Sequence, residues 1–458
     1  MITGKKQFVI VLGIIGLSVL TSCKWLFGDH IPTDDGGKFF EYVPEFHYTY
    51  FSNDVDAIKS GNLSLYVDYS TCNVLGQNSP FYQALIPSWV DASKHYYSIK
   101  GNQIVEEEGN TFNLLKSIQD CSYADLVSAA KKMANSDSES VLLTDGEYFQ
   151  PTIAQGNINN PYMSEALKTW LKKGHDIFVF IEPYQEQYKG QLFNKKRFYI
   201  LFTDIRLRDN IYDRIIKTVK LQEYPNVEMF HLSVDHPSLS AEGTTSKPHE
   251  NLSAIIKGFG SFEAQEWQID WSNGIEPLIV YATDSLTGNQ LPNGEMFTGG
   301  IKVDRNSFGG YRITNVEAKV YNVNQEFTEF CTAKASGQRI GGKLEPMPQT
   351  HGNFAKIDEK EFKKHGIIRL HFDAGMFFPD EVLNGSPFNF TKIDVCISEV
   401  QDMFSQYAHM FEFDSIDMPG QTNSSVTESV KQCLADPDIK SMITSCPIYS
   451  IYIKSIER

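Results

Sequence analysis

The sequence predicts an α/β protein followed by a mainly β region, and three observations support this. From Leu63 onward, strand-like and helix-like segments alternate, which is typical of a sheet with helices on both faces. Beyond about residue 250, short strand-like runs are separated by turn residues instead. The 458 residues are enough for two or three domains with ordinary cores.

The predicted organisation has five segments. They are a signal peptide (1–22), a tether (23–45), an α/β domain (46–236), a linker (237–250) and one or more β-rich domains (251–458). The linker is placed where Ser, Thr, Gly and Pro accumulate between Ser238 and Glu250.

The N-terminal elements follow from the periodicity of apolar residues. Short apolar or β-branched runs predict strands at Leu63–Val67, His95–Ile99, Gln103–Glu106, Ser140–Thr144, Asp176–Ile181, Phe198–Phe202 and Val227–Leu232. Apolar residues at helical spacing predict helices at Phe81–Val90, Asp125–Asn135, Tyr162–Lys173 and Asp209–Lys220. Gly101-Asn102 between two strands predicts a hairpin with an antiparallel edge. The right-handed crossover rule then favours a doubly wound parallel sheet in a three-layer sandwich.

The C-terminal elements are short and mostly β. Strands are predicted at Leu278–Ala282, Gly310–Thr314, Val316–Val323, Ile367–Phe372, Ile393–Ser398 and Ile448–Lys454. Helices are predicted near Thr427–Leu434 and Ile439–Thr444. A β-sandwich or two small β modules would fit this pattern.

The first 23 residues have the features of an exported lipoprotein. Lys5 and Lys6 precede an apolar run, Phe8–Leu20, that is too short to span a bilayer as a helix. The following Leu-Thr-Ser-Cys resembles a bacterial lipobox, whose cysteine is acylated and becomes the mature amino terminus. The resemblance implies lipidation of Cys23 by palmitate and other acyl chains, which would anchor the protein to a membrane. An ordinary signal peptide with a chance cysteine is the alternative.

The expected cellular location and the net charge of the chain limit the range of partners. Lys24 rather than aspartate follows the lipobox cysteine, and under the sorting habits of lipoproteins this favours the outer membrane, facing the periplasm or the cell surface. The net charge of −16, with scattered Lys and Arg, makes a nucleic-acid partner improbable. A protein or glycan partner is expected instead.

Polar side chains follow two of the predicted strands. Asp68-Tyr69-Ser70-Thr71-Cys72 comes directly after Leu63–Val67, and Thr144-Asp145-Gly146 ends a second strand. Ligands of open α/β sheets bind beyond the carboxyl ends of strands, so we expect Asp68 and Asp145 to meet at one edge. Tyr69, Cys72, Thr144 and Tyr148 are the further candidates for ligand contact at this rim. Alternatively, the Asp, Ser and Thr side chains only cap local turns.

The spacing of Asp68, Ser70 and Cys72, followed later by Asp145, resembles the metal-site loops of von Willebrand factor A domains. The usual first loop of that family is Asp-x-Ser-x-Ser. The resemblance covers about residues 46–236. It implies a Rossmann-like three-layer sandwich with one antiparallel edge, and Mg²⁺ or Ca²⁺ held by Asp68, Ser70 and Asp145.

Two positions depart from the pattern of that family. Cys72 is a soft ligand, poorly matched to Mg²⁺ or Ca²⁺. Ala124-Asp125-Leu126 stands where the family has a threonine shortly before a helical leucine, so a hydroxyl ligand is missing. The remaining half site predicts a degenerate metal site, with an intact one as the alternative.

Export to an oxidising compartment allows the cysteines other than Cys23 to pair. A Cys72–Cys121 disulfide would join the first two loops of the rim, and Cys433–Cys446 would close a small loop around a helix-like segment. For the first pair, free and half-buried thiols are the alternative.

The leading functional hypothesis is a cell-envelope lipoprotein that acts as a binding, adhesion or assembly module through the rim of its α/β domain. The alternative is a metal- or phosphate-dependent hydrolase that uses Asp68, Ser70 and Asp145. No zinc-protease, P-loop, dinucleotide or nucleophile-elbow motif occurs in the sequence, so a catalytic role is the less favoured reading.

Overall fold

A computed structural model of the chain describes residues 59–70, 79–116, 123–147, 162–205, 209–234, 309–324, 355–373, 388–416, 418–445 and 447–456, with short pieces between these ranges. The predicted signal peptide, the tether with Cys23 and the linker lie outside the described residues.

Within this part of the chain, the N-terminal half forms one mixed sheet of seven strands. The strands are β1 (Lys59–Asp68), β2 (Ser93–Lys100), β3 (Gln103–Glu106), β4 (Ser138–Thr144), β5 (Asp176–Tyr188), β6 (Gln191–Thr203) and β7 (Glu228–Leu232). Their order across the sheet is β3-β2-β1-β4-β6-β5-β7. β1 is parallel to β2 and β4, whereas β3 is an antiparallel edge, which confirms the hairpin predicted at Gly101-Asn102.

The prediction of a parallel sheet is wrong for its second half. β6 is antiparallel to both β4 and β5, and β7 is antiparallel to β5. β5 and β6 form one long hairpin, closed by Lys189 and Gly190 with φ of 48° and 80°, as in the two-residue turns that match strand twist. The residues between Ile181 and Phe198 are rich in Glu, Gln and Lys, so only the apolar ends of this hairpin had a strand signal.

Helices cover both faces of the sheet, as predicted. They are α1 (Pro80–Val90), α2 (Thr111–Lys116), α3 (Leu126–Ala134), α4 (Ser164–Leu171) and α5 (Ile211–Thr218). Alternation along the strands sends Leu65 and Val67 towards α1, α2 and α5, and Tyr66 towards α3 and α4. None of the described helices is long and apolar enough to cross a membrane.

The C-terminal half is mainly β, as predicted. Its strands are β8 (Ile256–Lys257), β9 (Ile275–Tyr281), β10 (Glu295–Phe297), β11 (Ile301–Lys302), β12 (Tyr311–Asn322), β13 (Glu345–Pro346), β14 (Ala355–Ile357), β15 (Ile367–Ile368), β16 (Leu370–Asp373), β17 (Phe388–Asp402), β18 (Phe413–Asp414), β19 (Thr422–Asn423) and β20 (Pro447–Ile456). Its helices are α6 (Glu359–His365), α7 (Ser425–Leu434) and α8 (Pro437–Ser445).

The largest described C-terminal sheet is separate from the N-terminal one and has the order β13-β12-β17-β20-β9. It is antiparallel except for the β20–β9 pair. The two strands predicted on either side of Asn315 are a single strand, β12, whose register with β17 shifts at that residue.

The C-terminal half also packs on the α3–α4 face of the N-terminal sheet. Val426 and Val430 of α7 belong to the same apolar cluster as Leu167 of α4. The Met163 main-chain N–H donates to Ser429 Oγ over 3.1 Å, which fixes the start of α4 against α7. The two halves therefore share one hydrophobic core.

The predicted Cys433–Cys446 disulfide is wrong, because Cys433 is a free thiol. The side chain lies on the buried face of α7 within the shared core, where burial raises its pKa to about 12. Sequence proximity did not show which face of α7 carries the thiol. Cys72, Cys121 and Cys446 lie outside the described residues, so the Cys72–Cys121 bridge stays a prediction.

Substitution of Gly190 tests the hairpin turn. No neighbouring atom would meet a Cβ at this position, so only the positive φ opposes a side chain. We expect Gly190→Val to lower the free energy of unfolding by about 1–2 kcal/mol. Gly190→Asn should cost much less, because Asn tolerates left-handed backbone. Urea unfolding measures the free energy of unfolding of both variants. Equal losses would contradict a turn with a positive φ at Gly190.

Candidate functional site

Asp68 and Asp145 meet at the carboxyl edge of the sheet, as the sequence predicts. Asp68 ends β1 and Asp145 follows β4, and these strands are parallel neighbours with Val67 opposite Leu143. The Thr144 hydroxyl donates to Asp68 Oδ2 over 2.7 Å and so connects the two strand ends. Both aspartates are fully buried.

The side chains of this rim also shape their own loops. Asp68 Oδ1 accepts a hydrogen bond from the Ser70 main-chain N–H over 2.6 Å. Asp145 Oδ1 accepts one from the Glu147 main-chain N–H over 2.9 Å, and Thr144 Oγ1 accepts one from that of Gly146. Both loops are thus built by side-chain to main-chain turns, in agreement with the alternative that these residues cap turns.

Burial perturbs both carboxyl groups. It raises the pKa of Asp68, while hydrogen bonds from Thr144 and Ser70 oppose the rise. It also raises the pKa of Asp145 well above its usual range, with the charge of Asp68 adding to the rise and that of Lys195 opposing it. Both shifts favour the protonated form, because a buried charge is costly and two adjacent negative charges repel each other.

The described residues at this rim do not fit a divalent cation. Ser70 Oγ and Asp145 Oδ2 are buried without a hydrogen-bond partner, and both are hard oxygens of the kind that Mg²⁺ and Ca²⁺ bind. However, both oxygens of Asp68 already accept hydrogen bonds, and the buried Ala124 offers no oxygen. Among the described residues, no group of three His, Cys, Asp or Glu side chains could hold a metal ion. The two free oxygens amount to a third of an octahedral set.

Two predicted ligand contacts are buried inside the protein. Tyr69 is 4% exposed and packs in the apolar cluster under α1, with its hydroxyl 3.3 Å from that of Tyr96. Thr144 is fully buried. As placed, neither can touch a ligand, because Tyr69 continues the apolar face of β1 and Thr144 bonds to Asp68. Cys72 and Tyr148 lie outside the described residues.

The C-terminal half covers the rim beside Asp145. A Cβ at Gly146, where φ is +74°, would lie 2.6 Å from the Phe198 ring and 2.8 Å from Val426 of α7. The Ile416 main-chain N–H donates to Glu147 Oε1 over 3.0 Å. The chain itself therefore occupies the space above this loop.

Sequence reasoning missed a buried lysine beside the rim. Lys195 of β6 has a fully buried side chain, and its Nζ lies 2.8 Å from Glu147 Oε1. The same Nζ lies 4.3 Å from the centre of the Phe413 ring. The run Lys195-Lys196-Arg197 looks like an exposed cationic stretch, and nothing in its pattern indicates burial.

Arg197 is a second buried cation that the sequence did not reveal. Its Nε donates to Asn73 Oδ1 over 3.2 Å, and its Nη1 lies 3.9 Å from Glu182 Oε2. Asn73 in turn donates to the main-chain oxygen of Asp68 over 2.6 Å. Tyr199 donates to the same carboxylate oxygen of Glu182 over 2.7 Å. This network links the Asp68 loop to the β5–β6 hairpin.

An open groove of about 480 Å³ lies next to the rim, between the β5–β6 hairpin and the segment 409–422. Its lining carries many hydrogen-bonding side chains, including Tyr184, Gln185, Asn194, Asn226, Glu412 and Thr422. Lys195 and Phe413 also line the groove and so connect it to the rim. Among the described residues of this edge, those that line the groove are accessible, whereas Asp68 and Asp145 are fully buried.

Substitutions of the two aspartates should have unequal effects on stability. Asp68→Ala removes the acceptor of the Ser70 and Thr144 hydrogen bonds and should cost about 2–4 kcal/mol. Asp145→Asn keeps an oxygen for the Glu147 N–H and replaces a carboxyl group whose ionisation is disfavoured by burial, so we expect a change within about 1 kcal/mol. Urea unfolding at neutral pH, with the exposed Asp91→Asn as control, measures both. A large loss in Asp145→Asn would indicate a strong partner for its second oxygen, such as a cation.

The chain was compared with protein-family models, with curated proteins and with solved structures. None of the three comparisons finds a match.

Proposed function

We propose that this protein is an outer-membrane lipoprotein, anchored through Cys23, that acts as a binding or assembly module. Its ligand site is the groove beside the rim of the α/β domain, not the aspartate pair itself. One observation supports this most directly: the groove is open, whereas Asp68 and Asp145 are fully buried. A ligand can reach the groove without rearrangement of the fold.

The same burial weighs against the hydrolase alternative. A catalytic carboxylate has to approach substrate or an activated water molecule. Both oxygens of Asp68 are engaged in hydrogen bonds, and the chain covers the loop of Asp145. A phosphate or metal-bound substrate would have to displace α7 to reach these groups.

The groove favours a glycan over a protein surface. The amide side chains of Gln185 and Asn226, both exposed, carry donors and acceptors, as vicinal sugar hydroxyls require. Glu412 adds an acceptor, and the half-buried ring of Tyr184 adds an apolar face. The volume of about 480 Å³ lies in the range of small-ligand sites. The expected ligand is therefore a short, polar saccharide segment.

Binding by this groove does not need a divalent cation. The groove is lined by side chains that hydrogen-bond directly, and the described rim beside it offers only two free hard oxygens for a metal ion. We therefore expect the same affinity in EDTA and in millimolar Mg²⁺ or Ca²⁺.

Groove substitutions test the ligand site. A glycan array identifies the saccharide bound best, and titration calorimetry measures its affinity with and without EDTA. The double substitution Gln185→Ala, Asn226→Ala should weaken binding about tenfold, because each lost hydrogen bond contributes about 0.5–1.5 kcal/mol.

Gln187→Ala is the matched control, because Gln187 is exposed on the same strand but does not line the groove. It should leave the affinity unchanged. Equal effects of control and groove variants would place the ligand elsewhere. Saccharide binding that is lost in EDTA would contradict the metal-independent site, and an array without any bound saccharide would favour a protein partner.

Substitution of Cys23 tests the membrane anchor. Cys23→Ser should abolish incorporation of labelled palmitate and move the protein from the membrane fraction to the soluble fraction. Ser22→Ala retains a small residue before the cysteine and should leave both unchanged. Continued palmitate labelling of Cys23→Ser would show that the acylated residue is another one.

A further inference from the structure

Lys195 is a buried cation that contacts the loop of Asp145 through Glu147. Thr144 pairs with Phe198 where β4 ends against β6. Extending that antiparallel register beyond the end of β4 brings Lys195 opposite Glu147. The observed 2.8 Å separation of Lys195 Nζ and Glu147 Oε1 agrees with this placement.

Glu147 transmits this contact to Asp145. Its main-chain N–H donates to Asp145 Oδ1, and its carboxylate pairs with Lys195. The Lys195 ammonium therefore pairs with the acidic loop after β4, which contains Asp145 and Glu147.

The same ammonium contacts the C-terminal half. Lys195 Nζ lies 3.4 Å from the main-chain oxygen of Asp414 and lies over the ring of Phe413. Glu147 accepts a further hydrogen bond from the Ile416 main-chain N–H. The segment 413–416 is thus attached to the rim through the Lys195–Glu147 pair.

We propose that the Lys195 ammonium takes the place of a divalent cation at this rim, joining the acidic loop after β4 to the segment 413–416. This would explain why only two oxygens at the rim, Ser70 Oγ and Asp145 Oδ2, are free to bind an ion and why a buried ammonium group pairs with the loop of Asp145. Positive charge reaches this loop from a side chain, so Asp68 and Asp145 need no ion to hold the loops together.

Thermal unfolding of the purified full-length protein tests this proposal. Lys195→Met keeps most of the length of the side chain but removes its charge, leaving the largely buried Glu147 without its cation. We expect its thermal midpoint to fall by about 5 °C or more, as for other broken buried ion pairs. Lys196→Met is the control, because Lys196 Nζ contacts the main-chain oxygens of His409 and Met410 in the same C-terminal segment. Lys196→Met should lower the thermal midpoint clearly less than Lys195→Met does.

A double variant distinguishes the loss of the Lys195–Glu147 ion pair from a nonspecific loss of stability. Glu147→Gln combined with Lys195→Met leaves no unpaired charge, so it should recover part of the midpoint lost in Lys195→Met. Neither Mg²⁺ nor Ca²⁺ should shift the midpoint of the unmodified protein. The proposal is overturned if Lys195→Met costs no more than Lys196→Met, or if the double variant recovers nothing. It is also overturned if a divalent cation stabilises the unmodified protein and Asp145→Asn abolishes that effect.

Discussion

The parallel pairing of β1 with β4 is the constraint on which the rest of the rim depends. Because the two strands run in the same direction and in register, they end together, and Thr144 reaches Asp68. Two carboxyl groups are thereby brought into the interior next to each other. Hydrogen bonds from the Thr144 hydroxyl and from the main-chain N–H groups of Ser70 and Glu147 reduce the cost of that burial, and buried cations lie nearby.

The β5–β6 hairpin supplies those cations. Its arms extend past the end of β4, so side chains that a shorter strand would leave in solvent lie against neighbouring loops. Lys195 pairs with Glu147, and Arg197 lies near Glu182 and Asn73. Buried charges are tolerated only when paired and hydrogen-bonded, which explains why each of these cations has an acidic side chain beside it.

The C-terminal half completes the fold of the N-terminal half. α7 packs on the face of the sheet that also carries α3 and α4, and the aromatic rings of Phe230 and Phe411 meet with centroids 5.2 Å apart. This packing closes the space above Asp145 and leaves the groove as the accessible feature of this edge. Fold and candidate binding surface therefore depend on contacts between the two halves.

The sequence by itself determined the types of the elements it predicted, the antiparallel β2–β3 edge and the meeting of Asp68 with Asp145, but not the helices α2 and α6. These features follow from local periodicity, turn residues and the rule that parallel strands end at one edge. Only the tertiary structure decided that β6 enters the sheet antiparallel, that Cys433 faces the core and that Lys195 is buried. Each of these depends on which distant surface a side chain meets, and a local pattern of polarity carries no information about that surface.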